Sequence, residues 1–216
     1  LRVAVLGLGL MGSFHTELLT SRVRGVTLAV VNDFVTAKAD EVAARTGARV
    51  VADPIAAIND PEVDAVLLAT PGSTHAEQVN ACLDSGKPVL CEKPLTTDTA
   101  SSHAIVAKEA GLGKRLIQVG FMRRFDPEYV ALKELIVSGG LGNPLMVHCT
   151  HRNPAVPDHF NSEFMIRDSV VHEVDVARFL LGEEIASVQV IKGVATSTAP
   201  EGTNDPMLVI FEMTSG

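Results

Sequence analysis

A lysine held by a proline is the first residue of this sequence with a clear chemical use. Lys93 precedes Pro94 in the stretch CEKPL, 91–95. Because proline disfavours the helical conformation in the residue before it, and an X-Pro bond can be cis, the side chain of Lys93 is held in one direction. A lysine placed in this way can stabilise a developing alkoxide or relay its proton. The alternative is a surface lysine before a turn.

A carboxylate and an imidazole further along the chain are spaced to act together. Asp168, His172 and Asp175 lie four and three residues apart, so on a helix they share one face. A carboxylate one turn from a histidine fixes the tautomer of the ring and raises its basicity, which suits a general base that removes a hydroxyl proton. The alternative is a solvated face of an amphipathic helix.

Three glycines near the start of the chain have the spacing of a dinucleotide-binding loop. The segment GLGLMG, 7–12, follows an apolar run and opens a helical pattern, so its backbone can approach a pyrophosphate at a helix N-terminus. Asp33 follows Gly12 by 21 residues, at the end of the second apolar run, where its carboxylate can accept hydrogen bonds from ribose hydroxyls. The alternative is a glycine turn with an aspartate helix cap.

The charge of Asp33 indicates which dinucleotide is bound. A carboxylate repels the 2′-phosphate of NADP, and residues 34–36, FVT, supply no cation, so NAD is the expected cofactor. Further contacts are expected at the ends of the fourth and fifth apolar runs, although for His75 a capping or packing role is an equal alternative. The expected cofactor-binding residues are Gly7, Gly9, Leu10, Met11, Gly12, Asp33, Thr70, Pro71, His75, Glu92 and Lys93.

The segment HCTH, 148–151, has residue types that bind metals. On a strand, however, Cys149 and His151 point to one face and His148 to the other, so only two ligands converge. A zinc site needs three or four protein ligands, so no metal is expected. His151 and Asn153 are instead expected to face the site as hydrogen-bonding groups for a polyol.

The elements that must position these residues follow from the apolar pattern. Through residue 120, short continuous apolar runs alternate with helical patterns, which predicts parallel βα units and a doubly wound open sheet of the Rossmann type. In such sheets ligands bind beyond the carboxyl ends of the strands. The predicted strands are 3–6, 26–31, 49–51, 63–69, 88–91 and 115–119, and the predicted helices are 11–20, 35–46, 74–83 and 99–110.

After residue 120 the pattern predicts an α+β region. Its predicted helices are 126–137 and about 167–181, and its predicted strands are 145–151, 187–194 and 207–213. We therefore predict an NAD-binding Rossmann domain at 1–120 and an incomplete α+β domain for substrate binding and oligomerisation at 121–216. The last ten residues predict a strand that runs into a turn without a closing element, so we expect the chain to be a fragment of a longer protein.

Composition excludes several classes of protein. The 216 residues carry 18 Lys and Arg against 26 Asp and Glu, a net charge of −8, which argues against nucleic-acid binding. No apolar run approaches the roughly 18 residues of a membrane span. Three cysteines without a CxxC pair predict neither a disulfide framework nor a structural zinc site. With no secretory signal pattern at the start, we expect a cytoplasmic protein.

With the glycine loop, EKP after the fifth strand and D-x-x-x-H in the second region, the whole chain resembles the glucose-fructose oxidoreductase, inositol dehydrogenase and rhizopine catabolism (Gfo/Idh/MocA) family. The resemblance implies an open, mainly antiparallel sheet in the second domain and a homotetramer assembled through it. The sequence stops well before the usual end of the family. The resemblance implies catalysis by Lys93, Asp168 and His172, with polyol contacts from these three and from Met122, Arg123, His151, Asn153 and Asp175.

Three stretches of the chain favour one substrate within that family. They are GKRLIQVGFMRRFDPEYVALKE, PLMVHCTHRNP and DSVVHEVDVARFLLG, and they resemble most the members of the family that oxidise myo-inositol. This resemblance implies oxidation of myo-inositol to a keto-inositol, 2-keto-myo-inositol, by hydride transfer to NAD. One alternative is a dehydrogenase of the same fold for another inositol isomer or sugar, or one that recycles its NAD internally. Another is a non-catalytic NAD-binding regulator, against which the complete set of Lys93, Asp168 and His172 argues.

Overall fold

The computed structural model describes residues 1–153, 155–156 and 160–216. The chain divides into two compact units, Leu1–Gly120 and Phe121–Gly216. None of the helices in the described ranges is long and apolar enough to cross a membrane.

The first unit alternates strands with helices along its whole length. Its strands are β1 (Arg2–Leu6), β2 (Thr27–Asn32), β3 (Arg49–Val50), β4 (Ala65–Leu68), β5 (Val89–Cys91) and β6 (Ile117–Val119). Its helices are α1 (Leu10–Ser21), α2 (Thr36–Thr46), α3 (Pro54–Asn59), α4 (Gly72–Asp84) and α5 (Thr99–Gly111).

The six strands form one parallel sheet in the order β3-β2-β1-β4-β5-β6. This is the strand order of a doubly wound dinucleotide-binding fold, so the predicted fold class is confirmed. Val5 at the centre of β1 lies between Val31 of β2 and Leu67 of β4. The glycine loop after β1 and the loop after β4 therefore meet at the carboxyl edge of the sheet.

Both faces of the parallel sheet are buried. Ala4 and Leu6 of β1 pack into one apolar cluster, whereas Val3 and Val5 pack into another. Since successive side chains of a strand point to opposite faces, helices must cover both faces of this sheet. This double burial explains why the strands appear in the sequence as continuous apolar runs.

One helix of the first unit is absent from the sequence prediction. α3 is six residues long, starts with Pro54, and is capped by the carboxylate of Asp53, which accepts a hydrogen bond from the backbone N–H of Ile55 at 2.9 Å. Proline and aspartate are common at the start of a helix, but a helix of six residues is too short for its period to be recognised in the sequence.

In its described residues, the second unit contains helices and one antiparallel strand pair, as expected for an α+β region. Its elements are a 3₁₀ turn (Met122–Phe125), α6 (Pro127–Val137), α7 (Ser162–Phe164), a π-helical turn (Met165–Val170), α8 (Val171–Leu181), β7 (Ile185–Lys192) and β8 (Met207–Met213). In the antiparallel pair, Val190 lies opposite Val209.

The strand predicted at 145–151 is wrong. In the structure this segment has no regular secondary structure and is exposed. A strand needs a neighbour to satisfy its N–H and C=O groups. Within the described part of this unit, the strands are β7 and β8, and they pair with each other.

The helix predicted from about residue 167 begins earlier and is not uniform. It starts at Ser162, and its second stretch, Met165–Val170, is π-helical before α8 begins. A π turn has more residues per turn than an α-helix, so it changes the rotation of the residues before α8 relative to those in it. Accordingly Asp168 is exposed, while His172 and Asp175 are buried.

Candidate active site

The glycine loop in the first unit is tightly folded. Gly7 has φ +84°, and its N–H donates a hydrogen bond to the carbonyl of Asn32 at 2.8 Å. A Cβ on Gly7 would come within 2.5 Å of the carbonyl oxygen of Ala69, and a Cβ on Gly12 within 1.7 Å of the carbonyl oxygen of Gly7. Only glycine fits these two positions, because any side chain would displace backbone.

Gly9 serves a different purpose. A Cβ built on it meets no atom within 4 Å, and Gly9 is the N-cap of α1 without a side-chain cap. The first residues of α1, Leu10 and Met11, are exposed. The first N–H groups of the helix and the open space above Gly9 therefore fit the pyrophosphate of a dinucleotide, which would lie against bare backbone.

Asp33 fastens the end of β2 to the glycine loop. Its carboxylate accepts hydrogen bonds from the N–H of Leu8 at 2.6 Å and from the N–H of Val35 at 2.8 Å, and the residue is 8% exposed. Each oxygen takes part in one of these bonds and keeps a second lone pair. The carboxylate can thus hold the loop and still accept bonds from ribose hydroxyls.

The loop after β4 is organised around a buried histidine. His75 of α4 is 1% exposed, and its Nδ1 and Nε2 lie 2.8 Å from the carbonyl oxygen of Pro94 and 2.9 Å from that of Thr70. Thr70 donates its hydroxyl to Gln78 at 2.6 Å, and Pro71 is the N-cap of α4. His75 is thus packed beneath the two loops, as expected for a histidine with a packing role.

Lys93 follows β5 at the same edge of the sheet, and its bond to Pro94 is cis. The preceding residue, Glu92, is contacted by His15 of α1, with 2.7 Å between Oε1 and Nε2. The sequence prediction does not include His15. The sequence could have indicated His15, because this residue lies one helical turn after Gly12 and so faces the same side of α1.

In the second unit, Glu173 joins two of the predicted polyol contacts. Its Oε1 lies 2.5 Å from Arg123 and 3.3 Å from Nδ1 of His151. The next arginine, Arg124, binds both carboxylate oxygens of Asp175 at 2.9 Å, and Asp175 is 5% exposed. The sequence prediction missed Glu173 and Arg124, because their partners lie about fifty positions away along the chain.

His172 lies in an aromatic environment within this unit. It is 6% exposed, the ring of Phe121 meets it edge-on with centroids 6.4 Å apart, and the ring of His151 lies nearly parallel to it at the same distance. The structure therefore brings together His172, His151, Arg123 and Glu173. Of the other predicted contacts, Asp168, Met122 and Asn153 are exposed.

The two cysteines of the first unit, Cys82 and Cys91, are buried and do not supply a reactive thiolate. Burial raises the pKa of the Cys91 thiol to about 12, and that of Cys82 likewise to about 12. Among the described residues there is no cluster of three His, Cys, Asp or Glu side chains that could hold a metal ion.

A parallel sheet of this order, a glycine loop open to a pyrophosphate and an acidic residue after β2 together define an NAD-binding Rossmann domain. Residues 1–121 match the model of an oxidoreductase family with an NAD-binding Rossmann fold, and residues 129–216 match the Gfo/Idh/MocA C-terminal domain. The chain belongs to the Gfo/Idh/MocA oxidoreductase family.

Curated and solved relatives cover the whole chain. It is 63% identical to an inositol 2-dehydrogenase from Rhodococcus erythropolis and 59% identical to one from Mycolicibacterium smegmatis, in each case over 100% of this chain and 63% of the relative. A myo-inositol dehydrogenase from Lactobacillus casei, solved in complex with NAD(H) and myo-inositol, is 35% identical with a TM-score of 0.95, over 100% of this chain and 65% of that one. The chain thus spans slightly less than two thirds of these relatives.

Proposed function

We propose that the protein to which this chain belongs oxidises myo-inositol to 2-keto-myo-inositol with NAD. The observation that carries the proposal is the similarity over the full chain to the Lactobacillus casei myo-inositol dehydrogenase, which was solved with NAD(H) and myo-inositol. The similar region includes Lys93, Asp168 and His172. The 63% identity to a curated inositol 2-dehydrogenase supports the same substrate.

NAD, when bound, supplies the acceptor for the hydride that leaves the carbinol carbon. The chain's own residues handle the proton and the charge. His172 takes the hydroxyl proton as general base, and Asp168 orients and supports the resulting imidazolium. Lys93 donates a hydrogen bond to the same oxygen and stabilises its negative charge as the carbonyl forms.

The remaining hydroxyls of the polyol would be held by polar side chains of the second unit. We propose contacts from Met122, Arg123, His151, Asn153 and Asp175. Arg123 and His151 share Glu173, so both side chains already have a fixed partner before substrate arrives. Groups that are fixed in advance lose little conformational entropy on binding, which favours recognition of one arrangement of hydroxyls.

The substrate is tested by initial rates of NADH formation in the full-length protein. Myo-inositol, scyllo-inositol and glucose are compared at a fixed NAD concentration. A clear preference for myo-inositol is expected. If NADH binds but no NADH forms with any of the three, the proposed reaction is contradicted, and an internal redox cycle or a regulator gains support.

The role of Lys93 is tested by Lys93→Met. Loss of the cation that stabilises the alkoxide should lower kcat by about 10²- to 10⁴-fold, the range of general acid–base contributions, with NADH affinity nearly unchanged. Lys114→Met is the matched control, because this lysine is exposed and is not one of the proposed site residues. Wild-type turnover in Lys93→Met, measured beside NADH fluorescence titrations, contradicts the assignment.

A further inference from the structure

Both chain neighbours of Lys93 are held by imidazoles from different helices. On the side of Glu92, Nε2 of His15 in α1 lies 2.7 Å from a carboxylate oxygen, and the two side chains are 20% and 13% exposed. On the side of Pro94, Nδ1 of His75 in α4 lies 2.8 Å from the carbonyl oxygen. The three-residue segment 92–94 thus contacts a histidine side chain at each end.

His75 also contacts a second loop. Its Nε2 lies 2.9 Å from the carbonyl oxygen of Thr70, so one buried ring spans the loops after β4 and β5. A carbonyl oxygen only accepts hydrogen bonds and a neutral imidazole carries a single N–H, so the ring donates to one of the two loops at a time. The hold on Pro94 is made by the tautomer that carries its hydrogen on Nδ1. Such a bond, made in a buried position, is costly to break because its partners would lose their hydrogen bond without gaining one from water.

We propose that His15 and His75 are positioning residues that fix the backbone on both sides of Lys93 and so aim its ammonium group at the reacting oxygen. The proposal rests on the proposed function, in which Lys93 acts on the substrate hydroxyl. The direction of the Cα–Cβ bond of Lys93 follows from the backbone at Glu92 and Pro94. An error of about 1 Å in the position of a catalytic group can lower a rate about 100-fold.

His15 provides the first test, because its side chain is partly exposed and its replacement leaves no buried cavity. In the full-length protein, His15→Leu removes the bond to Glu92, whereas His15→Gln keeps an N–H near the position of Nε2. We expect His15→Leu to lower kcat about 10- to 100-fold with the Kd of NADH within about twofold, and His15→Gln to recover most of the loss. His103→Leu, at an exposed histidine of α5, is the matched control.

A double mutant separates positioning from a purely structural role. If His15 acts through Lys93, then His15→Leu lowers kcat in the wild type but not in the Lys93→Met background. Equal losses in both backgrounds overturn the proposal. So does a rise of more than about tenfold in the Kd of NADH with kcat unchanged, because His15 and Glu92 would then serve cofactor binding. Full activity of Lys93→Met alone is a different result, since it contradicts the proposed function itself.

His75 is tested by two replacements of similar polarity. His75→Asn keeps an N–H near the position of Nδ1, which faces Pro94, whereas His75→Gln keeps one near Nε2, which faces Thr70. We expect His75→Asn to retain more kcat than His75→Gln, with NADH titration showing that both variants are folded. The opposite order overturns the role of the Pro94 contact. If neither variant folds, the His15 series decides the proposal.

Discussion

Asp33 performs two tasks with one carboxylate, and the ratio of the NAD and NADP affinities reports the second of them, its contact with the ribose. Asp33→Asn keeps the size and one acceptor oxygen of the side chain but removes its charge. We expect the Kd of NAD to rise by about tenfold or more, and the preference for NAD over NADP to narrow, because the 2′-phosphate no longer meets a negative charge.

The measurement for Asp33→Asn is a pair of titrations with NADH and NADPH. Asp98→Asn is the matched control, since Asp98, although exposed, also accepts a backbone hydrogen bond, here from Ser101 at 2.8 Å, and caps α5 instead of holding the glycine loop. An unchanged ratio of the two affinities in Asp33→Asn would show that the ribose contact does not depend on the charge.

At the scale of single residues, the sequence located the candidate side chains better than it predicted their partners. Lys93, Asp33 and the glycines stand directly after strands, so the strand pattern located them. The contact between Arg123 and Glu173 joins residues 50 positions apart, and a local periodicity in the sequence cannot reveal such a pair. His75 has the residue type of a functional group, but its burial comes from the packing of α4 against two loops.

The glycine loop provides a prediction at the scale of an element. Gly9→Ala places a methyl group in open space, and φ −68° suits alanine, so the free energy of unfolding should change by less than about 1 kcal/mol. The Kd of NAD should nevertheless rise by about tenfold or more, because the methyl group keeps the pyrophosphate away from the backbone.

Gly12→Ala should show the opposite pattern in the same measurements. Its Cβ would lie 1.7 Å from the carbonyl oxygen of Gly7, so α1 must move away from β1, and a loss of about 1–3 kcal/mol of stability is expected. Denaturant unfolding and NADH titration of both variants check the contrast. A stable Gly12→Ala protein that binds NADH normally would contradict it.

The elements themselves were predictable to different degrees. Short continuous apolar runs alternating with helical patterns of ten or more residues gave the parallel sheet and most helices of the first unit, because this alternation is regular along the chain. The π-helical turn at Met165–Val170 has the composition of an α-helix, so no sequence signal separates the two. The segment 145–151 begins with three apolar residues, as a strand can, but pairing depends on a neighbour that a local pattern cannot supply.

At the scale of the whole molecule, assembly is the property to test. The family resemblance implies a homotetramer formed through the open sheet of the second domain, and β7 and β8 carry exposed apolar residues, among them Val188, Val190, Leu208 and Ile210. We expect the full-length protein to have the mass of four subunits by light scattering coupled to size-exclusion chromatography. Val188→Glu with Val190→Lys, at two exposed side chains on the same face of β7, should shift it to smaller species, and a monomeric wild type would contradict the prediction.

The parallel sheet of the first unit ends on short strands. β3 has two residues and β6 has three, so neither offers many free N–H and C=O groups to an incoming chain. β3 also begins with Arg49, whose guanidinium pairs with Asp60 at 2.6 Å, and a charge at an edge discourages a further strand. The sheet that binds the cofactor is therefore protected at both sides from edge-to-edge growth, the route by which exposed strands start fibrils.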